Sequence, residues 1–298
     1  MNTLRIIIAW VAFAAVAHAD PLHVVCATND LGAIARAVTG PEARIDVAAR
    51  PDRDPHAFEV RPSTVRNAGK ADIYLEVGLS LDLWSVDVVR GSRNRNLVVV
   101  TCADAIQPIE VPTGRVDASM GDVHSEGNPH YWLDPVNAIS VARLLAERFA
   151  QVDPARVETY PANAEAFALR IEERLPVWRA RLEGRSFIEF HRSWGYLAER
   201  FSMRIAGRVE PLPGIPPGAR HLAALAELIR EQQIPLVVRD VYHTASAVEF
   251  LARETGVRSA VLPTSCDEPT PEAFLAHFDR VADVLGMPIE GPGSGESR

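Results

Sequence analysis

The sequence predicts an α/β protein with two parallel-sheet lobes joined by one long rigid α-helix. Three observations carry that prediction. Short apolar runs alternate with helical patterns, the signature of parallel strands joined by right-handed crossovers. The alternation occurs twice, over residues 20–152 and again over 184–287. Between them, residues 153–183 hold a single helical pattern rich in Ala, Glu, Arg and Leu.

Residues 1–19 stand outside that fold. Arg5 gives a positive start, Ile6 to Ala17 is an almost unbroken apolar run, and Ala17-His18-Ala19 closes it. This pattern is a secretory signal with cleavage expected after Ala19. The run is shorter than the roughly 20 residues a membrane span needs. Asp20 rather than cysteine would become the first mature residue, so no lipid anchor is expected and the periplasm is the expected compartment. Cleavage leaves 279 residues, enough for two domains. In them 39 acidic side chains face 30 cationic ones, a net charge of −9. Such a surface argues against nucleic acid or anionic membrane as partners.

The elements follow in order. Leu22 to Ala27 reads as a buried strand, and Thr28-Asn29-Asp30 caps a helix running to about Val38. Arg44 to Ala49 is a second strand leading into the loop that holds His56. A helix spans Pro62 to Ala68 with Ser63 as its cap; Ile73 to Val77 is a strand, Leu81 to Arg90 a helix, Leu97 to Thr101 a strand. Val111 to Asn128, with three glycines and little periodicity, reads as a long mobile loop. Asn137 to Phe149 is helical. The pattern from Asp153 to Glu183 would span about 45 Å as helix, far more than a crossover needs, and so reads as a strut. Pro161 and Pro176 should bend it or break its ladder locally.

Ser186 to Phe190 then restarts the strands and ends at His191. Helices are expected over Trp194 to Phe201, His221 to Gln232, Ala245 to Thr255 and Pro271 to Leu285. Strands are expected over Arg204 to Gly207, Pro235 to Arg239 and Val257 to Leu262. The tail, residues 288–298, is expected to be disordered. Cys26, Cys102 and Cys266 allow one disulfide in an oxidising compartment and leave one over; buried or singly paired structural cysteines are expected.

Ligands of open parallel sheets gather at the carboxyl ends of strands. Three histidines sit at or near element junctions: His56 in RDPHAFEVRPS, His130 in GNPHYWLDP and His191 in IEFHRSWGYLAERF. Two belong to the first lobe and one to the second, which puts an ion in the cleft between them. Three imidazole nitrogens are most of a tetrahedral zinc site. Trp132, Trp194 and Tyr196 are expected to pack around it, and His221, His243 and His277 to be structural. His124, six residues before His130, is a candidate for transient capture of the ion, weighed against a solvated surface histidine.

The DPH…E, NPHYWLDP and H-x-S-W-G-Y motifs, with EPLPGIPPGARHLAALAELI downstream, resemble the zinc- and manganese-binding solute-binding proteins of bacterial ABC importers (cluster A-I). The resemblance runs through residues 22–286 in order. It implies two α/β lobes on one long helix with the metal between them, and no enzymatic activity. It also implies a monomer that delivers its ion to an inner-membrane ABC permease with its cytoplasmic ATPase, with a periplasmic zinc chaperone as a further candidate partner. His56, His130 and His191 correspond to metal ligands. The third position resembles a glutamate in manganese-type members, so histidine here points to Zn2+ over Mn2+. The preference of manganese for carboxylate and water oxygens agrees.

The family commonly supplies an aspartate after the last strand, where this chain reads LPTSCDEPTP. Asp267 is taken as that fourth ligand, with Glu268, Cys266, Glu59 or water as alternatives. Asp240, near the cleft rim, reads equally as the cap of a turn. Two rival functions stand beside this one. A zinc hydrolase would use an activated water at an open fourth position, but no HExxH motif occurs and Glu59 is the sole nearby base. A binding protein for an organic or chelated ligand would need an apolar or arginine-lined cleft.

Overall fold

The computed structural model describes residues 21–287 apart from positions 115, 118, 119 and 122. The expected signal segment and the tail 288–298 lie outside the described residues. Two parallel sheets of four strands organise the rest, and both have the same strand order. In the first, β1 (His23–Cys26) lies between β2 (Arg44–Val47) and β3 (Ile73–Glu76), and β4 (Val98–Thr101) pairs with β3. In the second, β5 (Ser186–Glu189) lies between β6 (Arg204–Arg208) and β7 (Leu236–Arg239), with β8 (Arg258–Val261) beyond. Each sheet therefore reverses its strand order beside its first strand, the place where open α/β sheets form a crevice.

Helices cover both faces, which is why β1 reads HVVC without alternation and is buried along its whole length. The second sheet sorts its side chains by parity. Phe187, Leu236 and Val238 face the main core, which runs back into the first lobe; Ile188 and Val237 face a smaller cluster with Leu225, Ile229 and Leu251.

Local signals account for most element starts. Helix α1 (Asn29–Thr39) is capped by Thr28, whose hydroxyl accepts from the Leu31 N–H at 3.4 Å. Helix α2 (Pro62–Ala68) has Arg61, not Ser63, at its cap position, with Pro62 opening the first turn. Helix α3 (Ser85–Ser92) starts later than its pattern suggests, because Asp82 accepts from the Val77 and Gly78 N–H groups and winds residues 78–84 into turns. Helix α4 (Pro135–Val152) is capped by Asp134, which accepts from the Val136 N–H.

The connection between lobes departs from the expected single helix. A 3-10 turn at Pro154–Arg156 precedes α5 (Thr159–Glu172), and α6 (Leu175–Leu182) follows only after an interruption at Glu173 and Arg174. Pro161 falls in the first turn of α5, where an N–H has no helical acceptor anyway. Pro176 falls in the first turn of α6, and its missing N–H deprives the Glu172 carbonyl of a helical donor.

The two segments are built into the body rather than bridging open space. Helix α5 packs on α1 and α4, while α6 packs on α10 (Pro271–Leu285), which itself leans on α1. The Trp178 indole N–H donates to Asp279 at 2.8 Å, and the Trp178 and Phe278 rings lie 5.3 Å apart. The remaining helices, α7 (Gly195–Arg200), α8 (Ala219–Gln232) and α9 (Ser246–Thr255), complete the second lobe. Cys26, Cys102 and Cys266 are all buried and unpaired, so the allowed disulfide is not formed.

Candidate metal centre

His56 lies in a 3-10 turn after β2, His130 immediately before the turn that leads into α4, and His191 two residues beyond β5. The structure brings the three together. One candidate ligand atom from each lies within 4.8 Å of the other two, and the ring centroids are 5.3–5.4 Å apart. His130 is 3% exposed; the other two are half-buried.

Each ring is held from behind. Asp54 Oδ1 accepts the His56 backbone N–H at 2.9 Å and meets His56 Nδ1 at 2.8 Å. Asn128 Oδ1 does the same for His130, at 2.9 Å to both the backbone nitrogen and Nδ1. The tripeptides Asp54-Pro55-His56 and Asn128-Pro129-His130 are thus one device used twice, an Asx side chain folding over a proline to grip a histidine. The Asn128 amide nitrogen donates to Glu110 at 2.9 Å, which fixes the amide orientation and makes His130 Nδ1 the donor. His191 Nδ1 meets Glu210 Oε2 at 2.8 Å, an oxygen that also accepts from the Gly214 N–H at 3.0 Å.

In a neutral imidazole, donating through Nδ1 leaves the Nε2 lone pair free, which is how metal-binding histidines are oriented. Burial holds the His130 pKa well below its ordinary value, and nearby His56 and His191 lower it further. That ring is therefore a neutral donor at physiological pH. Tetrahedral zinc with bonds of roughly 2.0–2.1 Å needs its nitrogens about 3.3 Å apart, so a modest contraction of this trio would seat the ion.

Aromatic and polar side chains from both lobes wall the site. The His130 and Trp132 rings are 5.4 Å apart, and the Trp132 indole N–H donates to the Thr264 carbonyl at 2.7 Å. Tyr196 donates its hydroxyl to the Asn128 carbonyl at 2.8 Å, and Trp194 is buried. His243 stacks on Phe190 with centroids 4.2 Å apart and lies 6.1 Å from His191. His221 Nε2 sits 2.9 Å from the Arg208 carbonyl, and His277 is buried in α10. His124 lies against His56, ring centroids 5.3 Å apart.

Asp267 is not brought to the histidines. Its carboxylate pairs with Arg280 at 2.7 Å and its side chain is 65% exposed. The cause lies in the backbone of its loop, which is pinned to the start of α1. Asn29 donates to the Cys266 and Asp267 carbonyls at 3.1 and 3.0 Å, and Asp30 accepts from Ser265 and from the Cys266 N–H. The alternatives fare no better: Glu59 and Glu268 are exposed, and the buried Cys266 thiol donates to the Glu268 carbonyl. Asp240 spends its carboxylate on Thr264 and the Val241 N–H, as a turn cap does. Among the described residues, the metal-capable group contains the three histidines alone.

The family model for the periplasmic zinc-uptake complex component A matches residues 24–286. The chain belongs to that family. Members of the zinc-uptake component A family are periplasmic or extracytoplasmic solute-binding metal carriers, not enzymes, and work with an ABC permease and ATPase. The iron-binding protein YfeA of Yersinia pestis is 26% identical over 234 residues, 76% of this chain and 71% of its own length. The high-affinity zinc uptake system protein ZnuA of Bacillus subtilis (strain 168) is 21% identical over 251 residues, 82% and 79% of the two chains. A crystal structure of ZnuA shares the fold with a TM-score of 0.77 at 23% identity, covering 90% of this chain and 100% of that one. FpvC from Pseudomonas aeruginosa, solved with Mn2+, gives 0.74 at 21% identity, covering 92% and 100%. The relatives of the component A family thus span several transition metals around one architecture.

Proposed function

We propose that this chain is a periplasmic zinc-binding protein that holds Zn2+ through His56, His130 and His191 and delivers it to its ABC permease. The convergence of three imidazoles, each with its Nδ1 already engaged, carries the reading. Nitrogen donors suit zinc, whereas manganese prefers carboxylate and water oxygens, and among the described residues no carboxylate joins the group. Export through the N-terminal signal, cleavage after Ala19, a monomeric carrier and loading with or without a periplasmic chaperone belong to the same proposal.

The test is metal analysis and zinc titration of the exported protein beside His56→Ala, His130→Ala and His191→Ala. One tightly held zinc per chain, weakened in all three variants and poorly displaced by Mn2+, is the expected result. Binding indifferent to these histidines, or manganese held more tightly than zinc, would overturn it.

A further inference from the structure

We infer that His124 supplies the fourth donor, so that the ion is held by four imidazoles rather than three and a carboxylate. The inference rests on the zinc reading above and deepens it. The His124 ring stacks on His56 at 30° with centroids 5.3 Å apart, the same spacing that separates His56 from His130. His56 Nε2 and His124 Nε2 are both buried and neither has a hydrogen-bond partner. A buried polar nitrogen left unmatched is costly, and two side by side beside a donor cluster suit an electron-pair acceptor between them.

A half-open cavity of about 20 Å³ is lined by His124, His130 and His191, with Glu110, Arg192 and Pro213 among its walls. That volume suits one small body of about the size of a water molecule. His124 stands one ring outside the tight trio, on a short tether. Its carbonyl accepts from the Gly127 N–H at 3.3 Å, and Ser80 donates to neighbouring Glu126 at 2.9 Å, tying the segment to the turn after β3. The Glu110 carboxylate, which also lines the cavity, is engaged by Asn128 and Arg208, while Asp267 is paired with Arg280 and Asp240 with Thr264. The trio therefore closes around the ion as His124 moves in from the loop. Four neutral nitrogens leave the ion its full charge and disfavour cations that seek oxygen.

X-ray absorption at the zinc edge counts imidazoles by their outer-ring scattering. The zinc-loaded protein should show four, and His124→Ala three plus one oxygen, with zinc affinity falling by roughly ten- to a hundred-fold. Three imidazoles in both proteins with equal affinities would overturn the assignment and leave the zinc reading standing. Failure of the parent protein to hold stoichiometric zinc would overturn both. Should His124→Ala misfold, the imidazole count of the parent protein alone decides.

Discussion

At the scale of single residues, the histidine cluster depends on groups that stand behind its rings. Asp54, Asn128 and Glu210 each take an Nδ1–H and so decide which nitrogen faces the cleft. In Glu210, as in the other two, one oxygen serves two groups, here the His191 ring and the Gly214 N–H. Glu210→Gln keeps the shape but removes the charge and allows the ring to turn over. We expect zinc affinity to fall by roughly ten- to a hundred-fold, read by competition with a chromophoric chelator, while the melting curve of the metal-free protein stays in place. An unchanged affinity would mean that His191 is oriented by its packing alone. The three histidines were legible in the sequence because His56 and His191 follow strands and His130 stands just before a helix, each in a distinctive motif. Two of their supports were legible in hindsight, since Asp-Pro-His and Asn-Pro-His stand in the motifs themselves. Glu210 was not, because it lies 19 residues from His191 and reaches it only through the pairing of β5 with β6.

At the scale of elements, alternation of apolar runs and helical patterns located every strand and nearly every helix, with most ends moved by a residue or two and a few helix ends by three to six. The differences have local causes. Asp82 delayed α3, and Pro176 divided the connecting helix, because a side chain or a missing N–H outranked periodicity. The turn after β3 shows how such detail reaches the histidine cluster. Gly78, Leu79 and Ser80 are consecutive left-handed residues with φ of 85°, 49° and 62°. They lead to Trp84, whose indole N–H donates to the Pro55 carbonyl at 2.9 Å beside His56. A Cβ on Gly78 would stand 2.7 Å from Thr101 Cγ2 and 3.0 Å from Ala103 Cβ. Gly78→Ala should therefore cost about 1–3 kcal/mol in a urea melt and weaken zinc binding as His56 loses its backing. A variant as stable as the parent would show that the turn can relax at no cost.

At the scale of the whole molecule, the lobes are stitched together around the cleft. Arg200 grips both oxygens of Asp134 at 3.0 and 2.9 Å, and Arg208 reaches Glu110 at 3.2 Å while pairing with the buried Glu189 at 2.7 Å. With Trp132, Tyr196, Asn29 and Asp30 also crossing between lobes, wide hinge opening would break many hydrogen bonds at once. Small-angle scattering should give the same radius of gyration with and without zinc. A large compaction on loading would contradict this, and loop motion would no longer suffice to admit the ion.

Acid should loosen the metal-free protein as a whole. Burial pulls the His277 pKa down to about 3 and those of His243 and His124 to about 4, against an unfolded value of about 6.5. Below about pH 6.5 the unfolded chain takes up protons that the folded one refuses, so stability is full above that pH and is lost as pH falls. For fully buried His277 the loss is about 1 kcal/mol per pH unit. Urea melts at pH 7.5 and 5.5 should show a smaller drop for His277→Leu than for the parent. Equal drops would rule out this residue as a source of acid sensitivity.

The three unpaired cysteines place the hazard in time rather than in space. Burial pushes the Cys26, Cys102 and Cys266 pKa values up, and the thiolate is the form that attacks. Once folded, the chain is a poor substrate for the oxidants of its compartment. Before folding, the same thiols are open and far more reactive, and any bridge formed then must be undone before the sheets close. The yield of working carrier is thus set by a race between folding and oxidation. Parallel sheets, in which each strand pairing must wait for a crossover to close, fold slowly and lengthen that exposure.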